Sequence, residues 1–303
     1  MVFSKAIRVT ISVQHPTKVG CFIRDYFSQK HSLSLSRGFI EKSLRLKKIL
    51  VDSKRVSYGT SISQQSIVEA DSYWYNNASS FKKSYLKNSL LLENQYIMAF
   101  NKPPNLPVQG GYKITSCMID ILKEHYPKHN LHTVHRLDKE TSGIIIFAKN
   151  KKYAKFIAEQ FKNRKVYKVY HALVHPIPSP IQNTINLPLQ MKKIGGQYMM
   201  IQANNSNGKD AVTQYEVISS NPKNNTALVK CIIYTGRTHQ IRAHLHSLNY
   251  GILGDRLYKK HSDTIKSRNL CLHSSHITCL MPDGQHISIS SQIPKYMRLK
   301  TRI

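Results

Sequence analysis

The stretch TVHRLDKETSGIIIFAKN, residues 133–150, joins a polar loop to an apolar run. His135 to Gly143 are mostly polar and Ile144 to Ala148 are all apolar, so the pattern predicts a loop that leads directly into a buried strand. Gly143 gives the backbone freedom at the junction. Catalytic groups are often carried by loops that a buried strand holds in place, so this segment is the first candidate for a functional site.

Asp138 is the candidate functional acid of this loop. It is one of 16 acidic residues in the chain, and Arg136 and His135 are its close neighbours. Nearby cations favour the ionised carboxylate that a nucleophile or a base must have. The alternative is that Asp138 caps a turn by bonding the backbone near Thr141. The local sequence leaves both interpretations open.

Short strand-like runs, with few helices between them, extend over residues 93–303. This pattern is typical of an α+β domain with a mixed, mostly antiparallel sheet. The apolar spacing within 153–161 and 241–248 predicts two helices. The predicted strands are 96–101, 144–149, 166–175, 211–218, 227–234 and 286–291.

A smaller basic α/β module is predicted over residues 19–70, after a basic segment at 1–18 and before a polar, Ser/Asn-rich linker at 71–92. Its predicted elements are a helix over 19–30, a helix with Phe39, Ile40 and Leu44 on one face that Ser34 or Ser36 could cap, and strands over 49–51 and 55–58 around a turn. Five of its basic residues are available to phosphates: Arg37, Lys42, Arg45, Lys47 and Lys48. A solvated basic face without a ligand would have the same pattern.

The charge of the chain favours a nucleic-acid partner. Lys and Arg number 45 and Asp and Glu 16, which gives a formal net charge of +29. Neutralising phosphates releases condensed counterions, so RNA or DNA is the usual partner of such a protein. A membrane partner is disfavoured because no apolar run approaches the roughly 18 residues of a span, and the basic residues are not collected on one amphipathic helix.

The cysteines and the N-terminus bear on the compartment. Five cysteines with no CxxC pair argue against a disulfide framework and a zinc site, and for a reducing compartment. The first 24 residues are basic and contain no acid, as mitochondrial targeting segments do. We therefore expect a mitochondrial location, with cytoplasm or nucleus as the alternative.

Two further segments carry candidate site residues. In YTGRTHQIRAHLHSLNYGILGD, residues 234–255, a helix is predicted to start near Thr238. Arg237 and Arg242 are five apart and should therefore point to different faces, one towards phosphate and one into a pocket. In KVYHALV, residues 168–174, the alternation of a strand places Tyr170 on the face opposite its two neighbours.

Together these segments resemble the RluA-type pseudouridine synthases. HRLDKETSG resembles the family's HRLD-x-x-TSG signature. Four further segments resemble the family's other motifs and follow the family's order along the chain: NKPPNLPVQGG, KVYHALV, TGRTHQIRAH with the later GDRLY, and LHSSHITCLMP. Two positions depart from the pattern: Asn105 stands where Gly is usual and Ser274 where Ala is usual. The N-terminal module resembles an S4-type RNA-binding domain, without the Asn-Gly turn that is common there.

The resemblance implies an RNA pseudouridine synthase, an isomerase of the pseudouridine synthase fold that needs no metal, redox cofactor or ATP. It implies that Asp138 is the essential aspartate, that Tyr170 packs against uracil and that Arg242 pairs with the aspartate. Arg136 would enter the RNA stack and Arg237 would touch the RNA backbone. We expect a monomer acting on rRNA, with organelle rRNA as the first guess, or on tRNA. A non-catalytic RNA-binding protein and a Cys or Ser hydrolase are the rivals, but no GxSxG elbow occurs.

Overall fold

The structure is a computed structural model. It describes residues 7–10, 16–31, 37–45, 49–70, 88–110, 117–203, 207–258 and 267–299. The chain divides into two compact units, one formed by Met1–Asn88 with Gln109–Lys128 and the other by Ser89–Val108 with His129–Ile303.

The first unit contains small sheets and three helices within its described residues. Strands β1, β5 and β3 form one antiparallel sheet in that order, and β2 pairs with β4. One face of each N-terminal helix is buried, because Val19, Ile23, Ile40 and Leu44 meet the apolar side chains of β3 to β5 in one core. The elements are β1 (Ile7–Thr10), β2 (Thr17–Lys18), α1 (Val19–His31), α2 (Arg37–Arg45), β3 (Ile49–Val51), β4 (Ser61–Ile62), β5 (Ile67–Ala70) and α3 (Met118–His125).

The predicted hairpin of this unit is wrong in its second strand. Residues 55–58 are irregular, and β3 pairs instead with β5. Val56 and Tyr58 pack against the apolar core, so their alternation reflects burial rather than strand pairing. Asp52 ties the turn to β5, because its carboxylate accepts a hydrogen bond from Ile67 N at 2.7 Å.

The second unit is built on an 11-stranded sheet. The main order is β11-β14-β15-β10-β17-β9-β7-β6, with β16, β18 and β8 paired to β10, β17 and β9. Among the described strands β9 and β17 are parallel and the other pairs are antiparallel, which confirms the predicted α+β fold with a mixed, mostly antiparallel sheet. Its strands are β6 (Leu90–Glu93), β7 (Ile97–Lys102), β8 (His132–Thr133), β9 (Ser142–Ala148), β10 (Tyr167–His175), β11 (Gln182–Asn186), β12 (Leu189–Ile194), β13 (Gln197–Gln202), β14 (Val212–Asn221), β15 (Thr226–Ile233), β16 (Gly251–Ile252), β17 (Leu272–Leu280) and β18 (His286–Ser290).

Two helices complete this unit, α4 (Lys151–Lys162) and α5 (Gln240–Ser247). Every residue of β9 is buried, and Ile157 of α4 joins the core on one side of that strand. None of the helices in the described ranges is long and apolar enough to cross a membrane.

The domain limits differ from the sequence-based ones at two places. Strand β6 begins inside the range predicted as a linker, and residues 71–87 lie outside the described residues. Residues 109–128, predicted as part of the second domain, are grouped with the first unit. The assignment of 19–70 as an S4-like module stays a prediction.

Candidate active site

Asp138 lies on the loop between β8 and β9, at a cleft with a cavity volume of about 100 Å³. Its side chain is 18% exposed, and Tyr170 lines the same cleft. The turn after it is closed by the main chain, because Thr141 N donates to the Asp138 carbonyl oxygen at 3.2 Å. Within the described residues no hydrogen bond reaches the Asp138 carboxylate, so the alternative role as a side-chain turn cap does not apply.

The side chain facing Asp138 is Arg242. Its Nη1 lies 3.7 Å from Asp138 Oδ2 and 3.3 Å from Glu140 Oε2. Its Nε and Nη2 each donate to a different oxygen of Asp255 at 2.8 Å, and the guanidinium lies 5.2 Å from the centre of the Tyr258 ring. A bidentate pair of this kind is rigid as well as strong. Arg242 is therefore held beside Asp138, but its hydrogen bonds go to Asp255 and Glu140.

Burial and pairing act in opposite directions on these two groups. Burial lowers the pKa of Arg242, yet the hydrogen bonds and negative charge of Asp255 outweigh it and raise the pKa above its usual value. Burial likewise raises the pKa of Asp255, and Arg242 outweighs it and lowers the pKa. The site thus holds a fixed positive charge 3.7 Å from the Asp138 carboxylate.

The start of α5 explains how Arg242 comes to point inward. The helix begins at Gln240 rather than near Thr238, because Gln240 Oε1 accepts from Arg237 N and Thr235 Oγ1 at 3.0 and 2.7 Å. His239 before it has a left-handed φ of 51°. Arg237 lines the cleft and donates from Nε to Asp210 O at 2.9 Å, so the two arginines do point in different directions.

Tyr170 forms part of the cleft wall from β10. It pairs in register with Cys231 of β15 and Ser274 of β17, which fixes it in the middle of the sheet. Burial raises the pKa of Tyr170 to about 12, and the charge of Asp138 adds to the rise. Tyr170 therefore keeps its proton and presents a neutral ring to the cleft.

The other predicted site residues lie partly at the cleft and partly in the first unit. Arg136 is exposed and lines the cleft, whereas the neighbouring His135 is a neutral side chain, not a cation that holds Asp138 ionised, because burial lowers the pKa of His135 to about 3. In the first unit Arg37 pairs with Glu41 at 2.9 Å. Arg45 is exposed there, while the Lys42 side chain and the residues Lys47 and Lys48 lie outside the described ones.

Lys102 is a site residue that the sequence analysis missed. Its fully buried Nζ donates to the carbonyl oxygens of Pro103 at 2.8 Å, Leu106 at 2.8 Å and Lys139 at 3.0 Å. Burial lowers the pKa of Lys102 to about 7, while Asp138 and Glu140 act to raise it. The side chain ties the NKPP segment to the residue that follows Asp138.

Asp255, His239 and Tyr258 were also missed. His239 Nε2 lies 3.9 Å from Asp138 Oδ2, and its Nδ1 lies 3.3 Å from Tyr258 Oη. Asp255 stands in the GDRLY motif and is one of only 16 acidic residues in the chain, so the sequence did contain a signal for it.

Fold and site together define a class of protein. The chain is basic and folds a mixed sheet, and one acid lies at a narrow cleft beside a buried guanidinium and a neutral tyrosine. These are the features of an enzyme whose substrate is a nucleic acid.

Comparison with known proteins names the family. The family model described as RNA pseudouridylate synthase matches residues 96–247. The ribosomal large subunit pseudouridine synthase C of Rickettsia felis is 31% identical over 296 residues, which cover 92% of this chain and 95% of the relative. The protein of the same name from Buchnera aphidicola is 32% identical over 272 residues, covering 85% of each chain. The chain belongs to the RNA pseudouridylate synthase family and is an isomerase that acts on RNA.

Solved structures agree with this assignment. Human RNA pseudouridylate synthase domain containing 4 is 27% identical with a TM-score of 0.59, over 74% of this chain and 95% of that one. Human RNA pseudouridylate synthase domain containing 1, at 22% identity over 67% of this chain and 82% of that one and a TM-score of 0.59, shares the fold.

Proposed function

We propose that the chain converts a uridine of ribosomal RNA into pseudouridine, with Asp138 as the group that starts the reaction. The observation that carries the proposal is that Asp138 is the one acid among the described residues that line the cleft, and its carboxylate has a fixed cation 3.7 Å away. Ribosomal RNA is chosen because the relatives from Rickettsia felis and Buchnera aphidicola carry large-subunit names. Transfer RNA is the alternative target.

The reaction breaks the N1–C1′ bond of uridine, turns the base and joins C5 to C1′; the C5 hydrogen leaves as a proton and N1 gains a proton, so the product is an isomer of the substrate. Asp138 could act by attacking C1′, by adding to the ring, or by removing the 2′ proton to give a glycal. Each route requires Asp138 as a carboxylate, and Arg242 holds a positive charge 3.7 Å from it. The detached uracil carries negative charge, which fixed hydrogen-bond donors stabilise better than water does.

The cleft suits an extruded nucleotide. A base inside a helix must leave the stack to reach Asp138, at a cost of a few kcal/mol. Tyr170 offers a neutral ring on which the uracil can stack while it turns, and Arg136 at the cleft could occupy the vacated place in the RNA. Phosphate contacts of the basic surface would offset the extrusion cost.

Two further parts of the proposal concern the N-terminal region. We propose that residues 19–70 bind RNA phosphates through Arg37 and Arg45, which are exposed. We also propose that the basic segment at 1–18 directs the protein to mitochondria, where rRNA of the organelle would be the substrate.

Asp138→Asn tests the catalytic assignment. RNA from cells that lack the gene is labelled with uridine tritiated at C5, and tritium release measures the reaction. We expect release to be abolished while RNA binding persists. The matched control is Asp283→Asn, an exposed aspartate in the turn between β17 and β18, which should leave release unchanged.

The target is found by mapping pseudouridines with carbodiimide and primer extension, with and without the gene. A uridine of rRNA should appear as the site that depends on the gene. Full tritium release by Asp138→Asn would end the catalytic assignment, and a site confined to tRNA would move the substrate to the alternative.

A further inference from the structure

His135 has an unusual place in the fold. Its imidazole Nε2 accepts a hydrogen bond from the backbone N–H of Ile146 at 3.0 Å. Its ring stacks on Phe161 of α4, with centroids 4.4 Å apart and planes 13° apart. The side chain thus fastens the start of the Asp138 loop to a strand and a helix at once.

The contact with Ile146 fills a gap in the sheet. On the edge of β9 away from β7, β17 pairs with Ser142 and Gly143 while β8 pairs with Phe147 and Ala148. The N–H of Ile146 lies between those two pairings and bonds His135 instead of a strand. A buried N–H without a partner costs about 1–3 kcal/mol, so the imidazole has a specific acceptor role here.

The bond also fixes the chemical state of the ring. Nε2 must be unprotonated to accept from Ile146, so the single ring proton sits on Nδ1. Burial lowers the pKa of His135 to about 3, and the nearby Lys168 amine lowers it further. Lys168 is itself buried, on β10. A protonated ring would lose the bond.

The consequence for the site follows from chain distance. Asp138 is three residues after His135, and the Lys139 carbonyl after it is held by Lys102 at 3.0 Å. Asp138 therefore lies on a short loop between two anchors, the half-buried His135 and the fully buried Lys102. We propose that His135 is a positioning residue, which as a neutral acceptor sets where the Asp138 carboxylate stands in the cleft. This rests on the proposed function of Asp138.

The test compares His135→Gln with His135→Leu in the full chain. Glutamine can place its Oε1 close to the position of Nε2 and so keeps an acceptor for Ile146, whereas leucine fills the space without one. We expect kcat of His135→Gln to stay within about threefold of wild type. We expect kcat of His135→Leu to fall about 100-fold with KM nearly unchanged, because a misplacement near 1 Å costs about that much.

Asn150→Ala is the matched control for stability. Asn150 Oδ1 accepts from Tyr153 N at 2.9 Å and caps α4, the helix that carries Phe161, without touching the Asp138 loop. The variant should lower Tm while kcat stays at the wild-type value. If kcat of Asn150→Ala falls together with its Tm, lowered stability rather than a displaced Asp138 carboxylate would explain the histidine variants, and the proposal would be overturned.

A spectroscopic readout keeps the proposal testable should His135→Leu not fold. In wild-type protein with ¹⁵N-labelled histidine, the resonance missing from His135→Gln is that of His135. It should show a neutral ring protonated on Nδ1 at neutral pH. A ring protonated on Nε2, an equal loss of kcat in His135→Gln and His135→Leu, or full kcat in His135→Leu would each refute it. Failure of the proposed function itself looks different, since Asp138→Asn would then match wild type.

Discussion

Replacing Lys102 by methionine removes the amine but keeps the length of the side chain. Three carbonyl oxygens lose their donor, at about 1–3 kcal/mol each. Against this, the pKa of Lys102 is lowered by burial from its ordinary value of 10.5 to about 7. At about 1.4 kcal/mol per unit, the buried amine costs roughly 5 kcal/mol at neutral pH, and methionine removes that cost. The two terms are of similar size, so we expect the unfolding free energy to change by no more than about 4 kcal/mol.

The effect of Lys102→Met on activity is not offset by removal of the buried amine. The Lys139 carbonyl, next to Asp138, loses its anchor, so we expect kcat to fall about 100-fold, as for a shift near 1 Å in a reacting group. Tritium release and urea unfolding measure the two effects separately. Lys149→Met is the control, because Lys149 is a largely buried lysine paired with Glu93 at 2.6 Å and does not touch the Asp138 loop. Its kcat should be unchanged.

The pH dependence gives the prediction a sign. Since the folded pKa of Lys102 lies below the unfolded one, the unfolded chain binds more protons between about pH 7 and 10.5. The cost of burying the Lys102 amine is therefore absent above that window and appears as the pH falls through it, so the stability of the folded chain rises with pH. Because the folded amine is already half deprotonated at pH 7, wild type should gain roughly 2.3 kcal/mol relative to Lys102→Met between pH 7 and pH 9. An equal difference at both pH values, or full kcat in Lys102→Met, would refute the reasoning.

Two other changes test the rest of the site. Arg242→Lys cannot keep both hydrogen bonds to Asp255, so kcat should fall at least about tenfold with RNA affinity unchanged; an active lysine variant would show that the bidentate geometry is dispensable. Two double variants test the phosphate contacts: Arg37 and Arg45 to alanine in the first unit, and Lys192 and Lys193 to alanine on the exposed β12–β13 ribbon. Each should weaken RNA binding and lower its salt dependence without changing kcat. If the salt dependence of binding is unaltered in both variants, these residues do not contact phosphates.

The sequence located the Asp138 loop because hydrophobicity marks strand β9 plainly. Every residue of that strand is buried, so its apolar run has no polar interruption to obscure it. The sequence also predicted a special backbone conformation at Gly143. Its φ is +109°, and a Cβ there would lie 2.1 Å from the Ser274 carbonyl oxygen, so no other residue fits.

Strands that lie at the surface were harder to predict. β11 has the sequence QNTIN with one buried residue, and the β12–β13 ribbon is mostly exposed. Hydrophobic alternation needs one buried face, and these strands do not have one. The opposite error came at Val56 and Tyr58, where alternation without pairing imitated a strand.

The missed site residues share a different cause. A chain with 45 basic residues gives no local reason to single out Lys102, and Asp255 is distinguished by its two hydrogen bonds with Arg242 rather than by its neighbours in sequence. Asp138, Glu140 and Asp255 all approach Arg242, although the chain has only 16 acids to distribute over its surface. Gathering three of them around one buried guanidinium means that the fold, not the overall charge, sets the electrostatics of the cleft. The positive surface can attract RNA, while inside the cleft the Arg242 cation is paired with Asp255 and lies 3.7 Å from Asp138, which leaves the Asp138 carboxylate without a direct hydrogen bond to it.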